Sequence, residues 1–350
     1  MRVAFVSART THHGETDATA RRHGLAADLA NRGHDVSVFT STWWEGDHDA
    51  FEHESIEYRG LAGTPGHWRF ALRLPGALGE FDPDVIHADC EPESHPIAAT
   101  VGGHLAGAPV LLECYDPPTT LGPVVGRLTG FAARSATAVV TPSRTVRTRV
   151  REMGVPGEDV TVVPTGIEMD VVRDVEPADG GDIVYSRRLD ESANLETLLL
   201  ALAEFREYDW RATVVGDGPQ RESYERQTRD LRIEDRVDFV GERSVPERIA
   251  LFKNAHVYVH TAEYTPFAID LLRALAAGAV GIVEYHADSS AHELVERRER
   301  GFTATSAQEL TERLAEAGAL DHRTIDETYA EYDRRSFVER YLDLYRDAIH

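Results

Sequence analysis

Short apolar runs rich in valine and isoleucine alternate with longer stretches of helical periodicity along the whole chain. The runs show little polar alternation, which is typical of parallel strands that are covered on both faces. The longer stretches repeat apolar residues at i, i+3, i+4 and i+7, as between Leu195 and Leu202. The pattern predicts strands at Val3–Ala8, Asp35–Thr40, Asp84–Asp89, Val110–Cys114, Ala138–Ser143, Val160–Gly166, Ile183–Ser186, Ala212–Gly218, Val237–Gly241, Val257–Thr261 and Val280–Tyr285.

The predicted elements fall into two halves of α/β type. Between them, residues 171–181 form an acidic segment that contains proline and glycine and lacks periodicity, as linkers do. We therefore expect an N-terminal domain over residues 1–170 and a C-terminal domain over residues 182–330. A last helix lies within residues 331–350, and its apolar stripe needs a partner. The stripe consists of Phe337, Tyr341, Leu344 and Tyr345.

The formal net charge of the chain is −23, and Lys253 is the only lysine among its 37 basic residues. An acidic surface depleted of lysine indicates adaptation to concentrated salt, as in a halophile, because salt screens the repulsion between carboxylates. The alternative is an acidic mesophilic enzyme from a GC-rich genome. Either interpretation argues against general nucleic-acid binding, because phosphates repel an acidic surface.

The chain has no run of 18 or more apolar residues, so no transmembrane helix is expected. The first strand begins at Val3 without the pattern of a signal peptide, which predicts a cytoplasmic protein. Peripheral contact with a membrane stays open. Cys90 and Cys114 each follow a predicted strand and lack CxxC spacing. We expect both to be reduced, buried side chains rather than zinc ligands.

Five phrases in the second half follow one another in a fixed order, each where a strand ends and a helix begins. In open α/β sheets this edge is where ligands bind. The ordered set therefore predicts one crevice that holds a phosphorylated ligand. The phrases are PTGIE (Pro164–Glu168), SRRLDESANLETLL (Ser186–Leu199), VVGDGP (Val214–Pro219), RVDFVG (Arg236–Gly241) and TPFAIDLLRALAAG (Thr265–Gly278).

These phrases, with three segments of the first half, resemble the retaining, nucleotide-sugar-dependent glycosyltransferases of the GT-B fold, usually called family 4. The first-half segments are His12–Thr40, Phe81–Asp89 and Thr137–Glu168. The resemblance covers nearly the whole chain. It implies an α/β protein with two Rossmann-like, doubly wound parallel-sheet domains that face a cleft. The last helix would cross back to the N-terminal, acceptor-side domain.

The resemblance also implies an activity, which is the transfer of a sugar with retention. The donor is a nucleotide-sugar, and the acceptor is a glycan, a lipid-linked compound or a small molecule. The chain departs from the family at charged positions. In the family's G-R-L-x-x-x-K loop, the glycine is Arg187, the arginine is Arg188 and the lysine is Ala193 here. The family's two glutamates align with Thr265 and Arg273.

Glycosyl transfer releases a diphosphate, so the enzyme needs cations or N–H donors at the leaving group. Arg188 is the candidate catalytic residue, as a planar bidentate donor to the diphosphate. Arg187 is expected to supply the charge lost at Ala193. The alternative for either arginine is an ordinary surface charge. Thr265 and Pro266 predict a helix N-cap and first helical position, and the free N–H groups of that helix would bind phosphate.

The remaining candidates are assigned by their place in the family's motifs. Glu263 or Asp270 would meet ribose hydroxyls in place of the missing carboxylate, although an ordinary solvated carboxylate is favoured for Asp270. The turn from Gly216 to Gly218 borders the nucleotide in the family, and a purely structural turn is the equal alternative. The donor-binding set is Gly14, Arg187, Arg188, Asn194, Gly216, Asp217, Gly218, Gly241, Glu263, Thr265, Pro266, Phe267 and Arg273.

We expect no cofactor and no metal, since the 16 histidines are scattered without metal-ligand spacing. A second hypothesis is a catalytically weak or inactive pseudo-glycosyltransferase that binds a nucleotide-sugar and has a regulatory or partner role. The missing motif residues support it. A third, a dinucleotide oxidoreductase, is disfavoured because no GxGxxG follows the first strand with an acidic residue about 20 positions later.

Overall fold

The computed structural model describes residues 1–46, 48–65, 68–91, 94–117, 130–131 and 133–350. Within these residues the chain forms two compact units. Unit 1 consists of Met1–Pro164 together with Arg335–His350, and unit 2 consists of Thr165–Arg334. The chain therefore passes from one unit to the other twice, and its last segment belongs with its first.

In the described residues of unit 1, eight strands form one sheet. Its strands are β1 (Arg2–Val6), β2 (Asp35–Ser41), β3 (Ala50–His53), β4 (Ile56–Ala62), β5 (Val85–Asp89), β6 (Val110–Glu113), β7 (Ala138–Thr141) and β8 (Val160–Val162). They lie in the order β3-β4-β2-β1-β5-β6-β7-β8, and all neighbours except β3 and β4 pair in parallel. Helices whose bounds lie wholly within the described residues before the first crossing include α1 (Asp17–Asn31), α2 (Trp68–Phe81), α3 (Ser94–Ala106) and α4 (Arg144–Glu152).

Unit 2 contains a six-stranded sheet that is parallel throughout. Its strands are β9 (Ile183–Ser186), β10 (Ala212–Val215), β11 (Val237–Gly241), β12 (Val257–His260), β13 (Val280–Glu284) and β14 (Gly301–Ala304), in the order β11-β10-β9-β12-β13-β14. Its helices are α5 (Met169–Asp174), α6 (Leu195–Glu204), α7 (Arg221–Leu231), α8 (Val245–Asn254), α9 (Ile269–Ala276), α10 (His292–Val295) and α11 (Ala307–Ala317).

The strand pattern read from the sequence is confirmed, since each predicted strand is present and pairs in parallel with its neighbours. The pattern misses β3, β4 and β14. The first two are joined by a tight turn whose residues, Glu54 and Ser55, have positive φ without being glycine or asparagine. Within the described residues, no helix combines the length and the apolar character needed to span a bilayer.

The final helix, α12 (Arg334–Ile349), packs on unit 1. The buried side chains of Phe337, Tyr341 and Tyr345 belong to one core cluster with strand residues such as Val3 and Phe5. Three of the four residues of the predicted apolar stripe are thus buried against the first-half sheet, and Leu344 packs at the edge of the same cluster.

A buried polar network ties α12 to the strands of unit 1. Arg21 donates to Glu113 Oε1 at 2.8 Å, to the carbonyl of Val163 at 2.7 Å and to the hydroxyl of Tyr341 at 2.7 Å. The hydroxyl of Tyr341 also donates to Glu113. Burial opposes the charge of Glu113, but Arg21 and His87 outweigh it and hold the pKa of this carboxyl well below its usual value. The carboxylate therefore stays ionised.

His87 is a core residue, as its sequence position at a strand end suggests. Its Nδ1 lies 2.6 Å from the hydroxyl of Tyr345, and its Nε2 lies 3.4 Å from Glu113 Oε2. The ring also stacks on Phe5 at 4.8 Å between centroids. These contacts assign His87 to the interior of unit 1 rather than to a catalytic role.

The expectation of two reduced cysteines is wrong. Cys90 and Cys114 form a disulfide, with their Cα atoms 5.0 Å apart. Both side chains are buried, as expected. The reason lies in the topology: the residues directly follow β5 and β6, which are parallel neighbours, so their Cα atoms come within the range that a disulfide spans. The 24-residue sequence separation gives no sign of this proximity.

The segment expected to be a linker is partly structured. Residues 171–174 belong to α5. The ammonium of Lys253 is buried and donates to the carbonyls of Arg173 at 3.2 Å and Val175 at 2.6 Å. The first part of the segment is therefore held on unit 2.

Candidate functional site

The candidate site lies at the carboxyl edge of the unit 2 sheet. β9 is central, with β10 on one side and β12 on the other. The chain order reverses at this point, because β10 and β11 follow on one side and β12 to β14 on the other. Such a switch point leaves a crevice in which open α/β sheets bind their ligands. Arg187 and Arg188 come directly after β9 and therefore start at this crevice.

Arg187 is held by two hydroxyl groups. Its Nη1 donates to Thr265 Oγ1 at 2.9 Å, and its Nη2 donates to Ser192 Oγ at 2.9 Å. Ser192 is itself fixed, since its N–H and hydroxyl both donate to Asp190 Oδ1. Ser192 directly precedes Ala193, the position of the family's lysine. The guanidinium of Arg187 therefore lies beside the place where that lysine would begin.

The side chain of Arg188 is exposed and forms neither a hydrogen bond nor an ion pair among the described residues, although its charge helps to lower the pKa of the nearby Asp217 carboxyl. Its backbone is anchored on both sides, because the N–H of Arg187 donates to Val215 O at 3.0 Å and the N–H of Leu189 donates to Asp217 O at 2.9 Å. Arg188 thus combines a fixed backbone with an uncommitted guanidinium. The guanidinium is therefore available to a ligand.

The turn from Gly216 to Gly218 explains how this backbone is held. A Cβ at Gly216 would lie 2.0 Å from Arg187 O, and one at Gly218 would lie 2.3 Å from Leu189 O. Gly216 also has a φ of +123°, which L side chains rarely adopt. Both glycines therefore let the two backbones approach closely. This observation supports the structural interpretation of the motif, and its effect is to position Arg187 and Arg188.

Two further predicted residues flank this turn. The N–H of Gly216 donates to Gly241 O at 2.9 Å, and Gly241 has a φ of +73°. Asp217 accepts from the N–H of Gly218 at 2.7 Å and from Arg221 at 3.1 Å. The Gly218 N–H, followed by Arg221, lowers the pKa of the Asp217 carboxyl. Asp217 therefore stays ionised beside the crevice.

The predicted N-cap at Thr265 is wrong, because α9 begins at Ile269 and its N-cap is Ala268. The carbonyl of Thr265 accepts from the N–H of Ser290, and the carbonyl of Pro266 accepts from the hydroxyl of Ser290. These bonds hold the segment beside the loop after β13 and delay the helix. Thr265 contributes its hydroxyl to Arg187 instead.

His260, the last residue of β12, is the second side chain that contacts the hydroxyl of Thr265. Its Nε2 lies 3.1 Å from Thr265 Oγ1. Burial, and then the charge of Arg187, lower the pKa of His260 to about 3. The imidazole is therefore neutral at ordinary pH, and the positive charge of this cluster comes from Arg187.

Asp270 is not a solvated carboxylate. It is buried, and its Oδ2 accepts from Ser186 Oγ and from Arg248, each at 2.6 Å. Its Oδ1 accepts from Arg273 at 3.1 Å. Arg273 also donates to Glu168 Oε2 at 3.2 Å. Burial opposes the charge of Arg273, but Asp270 and Glu168 outweigh it and raise the pKa of the guanidinium.

The other predicted residues lie in different surroundings. Asn194 is buried, and its amide donates to Thr261 O and Glu284 Oε2 and accepts from Thr197, so its side chain is used within unit 2. Glu263 is exposed, and its N–H donates to Ser192 O. Phe267 is buried and Pro266 half-buried next to Thr265. Gly14 lies in unit 1. A Cβ added at Gly14 would have no neighbouring atom of the described residues within 4 Å.

Sequence reasoning missed four residues that the structure brings to this edge. Ser192 and His260 contact the Arg187 cluster, and Arg248 and Glu168 contact the Asp270–Arg273 pair. Glu168 stands in the quoted phrase PTGIE, and Ser192 precedes the position of the family's lysine. No spacing rule points to Arg248. Among the described residues, no group of three or more histidine, cysteine or acidic side chains is arranged to hold a metal ion.

Comparison with known families matches both halves of the chain. Residues 18–166 match the family described as Glycosyl transferase 4-like domain, and residues 171–333 match Glycosyl transferases group 1. One curated relative is the alpha-monoglucosyldiacylglycerol synthase of Streptococcus pneumoniae. It is 24% identical over 366 aligned positions, which cover 93% of this chain and 81% of the relative.

Solved structures show the same fold over nearly the whole chain. The Anabaena protein HepE in complex with UDP superposes with a TM-score of 0.79 at 17% identity, covering 99% of this chain and 100% of that one. Sucrose-phosphate synthase from Thermosynechococcus elongatus superposes with a TM-score of 0.76 at 19% identity, covering 99% and 98%. The two parallel-sheet α/β units and these neighbours confirm the predicted GT-B, Rossmann-like fold.

Proposed function

Because the chain is a glycosyltransferase of the GT-B fold, with a group 1 glycosyl transferase domain in its second half, we propose that Arg187 and Arg188 bind the diphosphate of its nucleotide-sugar donor. The proposed reaction transfers the sugar to an acceptor with retention. The observation that carries the proposal is the pair of arginines at the switch point of unit 2, neither of which is paired with a carboxylate among the described residues.

The chemistry of the leaving group supports this assignment. Negative charge builds on the diphosphate as the bond to the anomeric carbon breaks, so fixed cations stabilise the transition state more than the ground state. Arg187 is preorganised by Thr265 and Ser192, and it stands beside Ala193. We therefore assign to Arg187 the charge that a lysine supplies in the family, and to Arg188 the bidentate contact.

The neighbours suggest which ligands to try first. HepE is solved with UDP, so we propose a uridine diphosphate sugar as the donor. The streptococcal relative is named for a glucosylated diacylglycerol, so a lipid-linked acceptor comes before glycans and small molecules. We further propose that the enzyme needs neither a metal nor a cofactor. Its net charge of −23 supports the proposal that it works in concentrated salt. We also propose that the enzyme is cytoplasmic.

The test is a calorimetric titration of UDP in high salt with three single variants. Arg187→Ala and Arg188→Ala are each expected to weaken UDP binding by about 1.5–3 kcal/mol, the size of a charge-assisted hydrogen bond. Arg211→Ala is the matched control, because Arg211 is exposed and lies at the amino end of β10 in the same sheet. Unchanged UDP affinity in both site variants would remove the diphosphate assignment.

A rescue variant tests the proposed replacement of the lysine. Ala193 is fully buried, so a lysine added alone would compete with Arg187 for space and charge. Arg187→Ala/Ala193→Lys avoids this conflict and is expected to recover part of the UDP affinity that Arg187→Ala loses. A double variant that folds but binds no better than Arg187→Ala would show that the two positions do not serve the same group.

The pseudo-glycosyltransferase remains the second candidate, because Thr265 and Arg273 stand where the family has glutamates. The two candidates differ in turnover rather than in binding. An enzyme should consume a UDP-sugar in the presence of an acceptor, and Arg188→Ala should slow that reaction. Tight UDP binding without turnover across lipid, glycan and small-molecule acceptors would favour the regulatory protein.

A further inference from the structure

We propose that Glu168 binds the ribose hydroxyls of the donor nucleotide, and that Arg273 is a positioning residue that holds the Glu168 carboxylate in place. The inference rests on the proposed function, since it concerns the same nucleotide. It assigns a binding role to a residue outside the predicted site. Both residues belong to unit 2, as do the arginines that would hold the diphosphate.

The chemistry of the diol calls for a carboxylate. Two neighbouring hydroxyl groups donate two hydrogen bonds, and an ionised carboxylate accepts them without donating in return. An arginine at position 273 cannot accept any hydrogen bond. Instead, the Arg273 guanidinium turns towards two carboxylates, at 3.1 Å from Asp270 Oδ1 and 3.2 Å from Glu168 Oε2. Position 273 has no carboxylate of its own, but its arginine forms an ion pair with the Glu168 carboxylate, which can accept hydrogen bonds.

Asp270 is not available for this role. It is buried, and it already accepts from Ser186, Arg248 and Arg273. A ribose hydroxyl would have to displace one of these charged or buried donors. Asp270 is better described as the centre that fixes Arg273 relative to the end of β9.

Glu168 retains acceptor capacity. Its side chain is 28% exposed, and its Oε2 accepts from Arg273. Its Oε1 forms a long ion pair with Arg334 Nη1 at 3.9 Å, beyond hydrogen-bonding distance, and accepts no hydrogen bond among the described residues. One carboxylate oxygen is thus held by a buried cation while the other can receive a ligand. Preorganisation of this kind reduces the cost of ordering the side chain on binding.

A chain of contacts connects this carboxylate to the diphosphate arginines. Arg187 follows Ser186, whose hydroxyl donates to Asp270, and Asp270 accepts from Arg273, which donates to Glu168. Each link is 3.2 Å or shorter. The Glu168 carboxylate and the Arg187 backbone are therefore fixed relative to each other within one domain. A nucleoside diphosphate offers the matching arrangement of a diol at one end and phosphates at the other.

The experiment compares UDP with 2′,3′-dideoxy-UDP, and uses GDP or ADP with their dideoxy forms if one of these binds better. Both ligands of a pair carry the same diphosphate, so the ratio of their dissociation constants reports only the ribose hydroxyls. The wild-type protein is expected to prefer the ribose form by about 10- to 100-fold. Glu168→Gln should bring this ratio close to one, while affinity for the dideoxy ligand changes little.

A matched glutamate-to-glutamine control and a competing candidate complete the test. Glu327 is also held by an arginine, Arg173, but on the exposed surface, so Glu327→Gln should keep the wild-type ratio. Glu263→Gln tests the competing candidate from the sequence for the same ribose contact. A folded Glu168→Gln protein with the wild-type ratio overturns the assignment, and so does a loss of discrimination in Glu263→Gln instead. If no nucleoside diphosphate binds to the wild type, the proposed function itself fails, which is a different result.

Discussion

Each unit brings two consecutive arginines to the carboxyl end of its parallel sheet, and it treats them in opposite ways. In unit 1, Arg21 is buried against Glu113, and Arg22 pairs with Asp89 at 2.9 Å. In unit 2, Arg187 is held by hydroxyl groups, and Arg188 is exposed without an ion pair among the described residues. The acids of unit 1 are the last residues of β5 and β6.

The difference separates two uses of the same side chain. A buried arginine that meets a carboxylate, a carbonyl and a phenol has no capacity left for a ligand, so it contributes to the specificity of the fold. An arginine that is positioned by neutral groups keeps its full charge for something that binds later. The absence of a carboxylate partner at a sheet edge is therefore more informative about function than the presence of arginine.

The largest expected effect comes from removing a buried partner. Arg21→Met leaves the Glu113 carboxylate buried without its main cation, and should lower the free energy of unfolding of unit 1 by about 3–5 kcal/mol. Arg188→Met is the same substitution at an exposed position, and should change stability by less than about 0.5 kcal/mol. Urea titrations followed by circular dichroism measure both. Equal losses of unfolding free energy in the two variants would contradict the proposed difference between the two arginine pairs.

A more gradual effect, spread over several pH units, is expected from acid, and it acts on both units. Burial lowers the pKa of His95 in unit 1 to about 4, and burial followed by Arg187 lowers that of His260 in unit 2 to about 3. Below pH 6.5 the unfolded chain binds protons that these folded histidines do not, so stability should fall as the pH drops. The slope is up to about 1.4 kcal/mol per pH unit for each histidine, and it ends near the folded pKa.

Substitution of one histidine at a time assigns this slope. His260→Gln should flatten the pH dependence of unfolding between pH 6.5 and about 3. His95→Gln should do so down to about 4. Thermal unfolding at a series of pH values gives the comparison with wild type. Parallel curves for wild type and His260→Gln would mean that His260 is charged in the folded protein.

The smallest expected effect is a difference between the effect of salt on the stability of the wild-type protein and its effect on the penalty of Arg21→Met. Raising potassium chloride from about 0.1 M to about 1 M should stabilise the wild-type protein, because it screens repulsion within a chain of net charge −23. The penalty of Arg21→Met should change by less than about 0.5 kcal/mol over the same range, because buried pairs are screened much less. UDP affinity, which the proposed function attributes in part to the exposed Arg188, should fall with salt. A melting temperature that is flat or falling in salt would contradict the salt-adapted interpretation.

The sequence predicted the elements and the edge of the sheet better than it predicted the contacts at that edge. The strands and the place of Arg187 and Arg188 follow from apolar runs and motif order. The helix start at Thr265 was wrong because Ser290, far along the chain, holds the carbonyls that the helix would need. The spacing of Cys90 and Cys114 could not reveal their disulfide, since only strand order brings them together.

The carboxylates of the site show the same limit. Sequence motifs indicate that position 273 lacks a glutamate, but they cannot show where another carboxylate approaches. Glu168 and Arg273 are more than a hundred residues apart, and their contact depends on how α9 packs beside the start of unit 2. Long-range ion pairs of this kind have no local pattern, so they appear only once the fold is known.

The position of α12 in unit 1 also determines the order in which the protein can mature during synthesis. The ribosome makes the first strands early, but Tyr341 and Tyr345 emerge only after all of unit 2. Until then Glu113 and His87 lack their phenol partners, and the sheet lacks the cover of Phe337. Unit 2, which is continuous in sequence, can therefore complete its fold first. A chain that stops after Arg334 should consequently damage the unit that was made first, not the one made last.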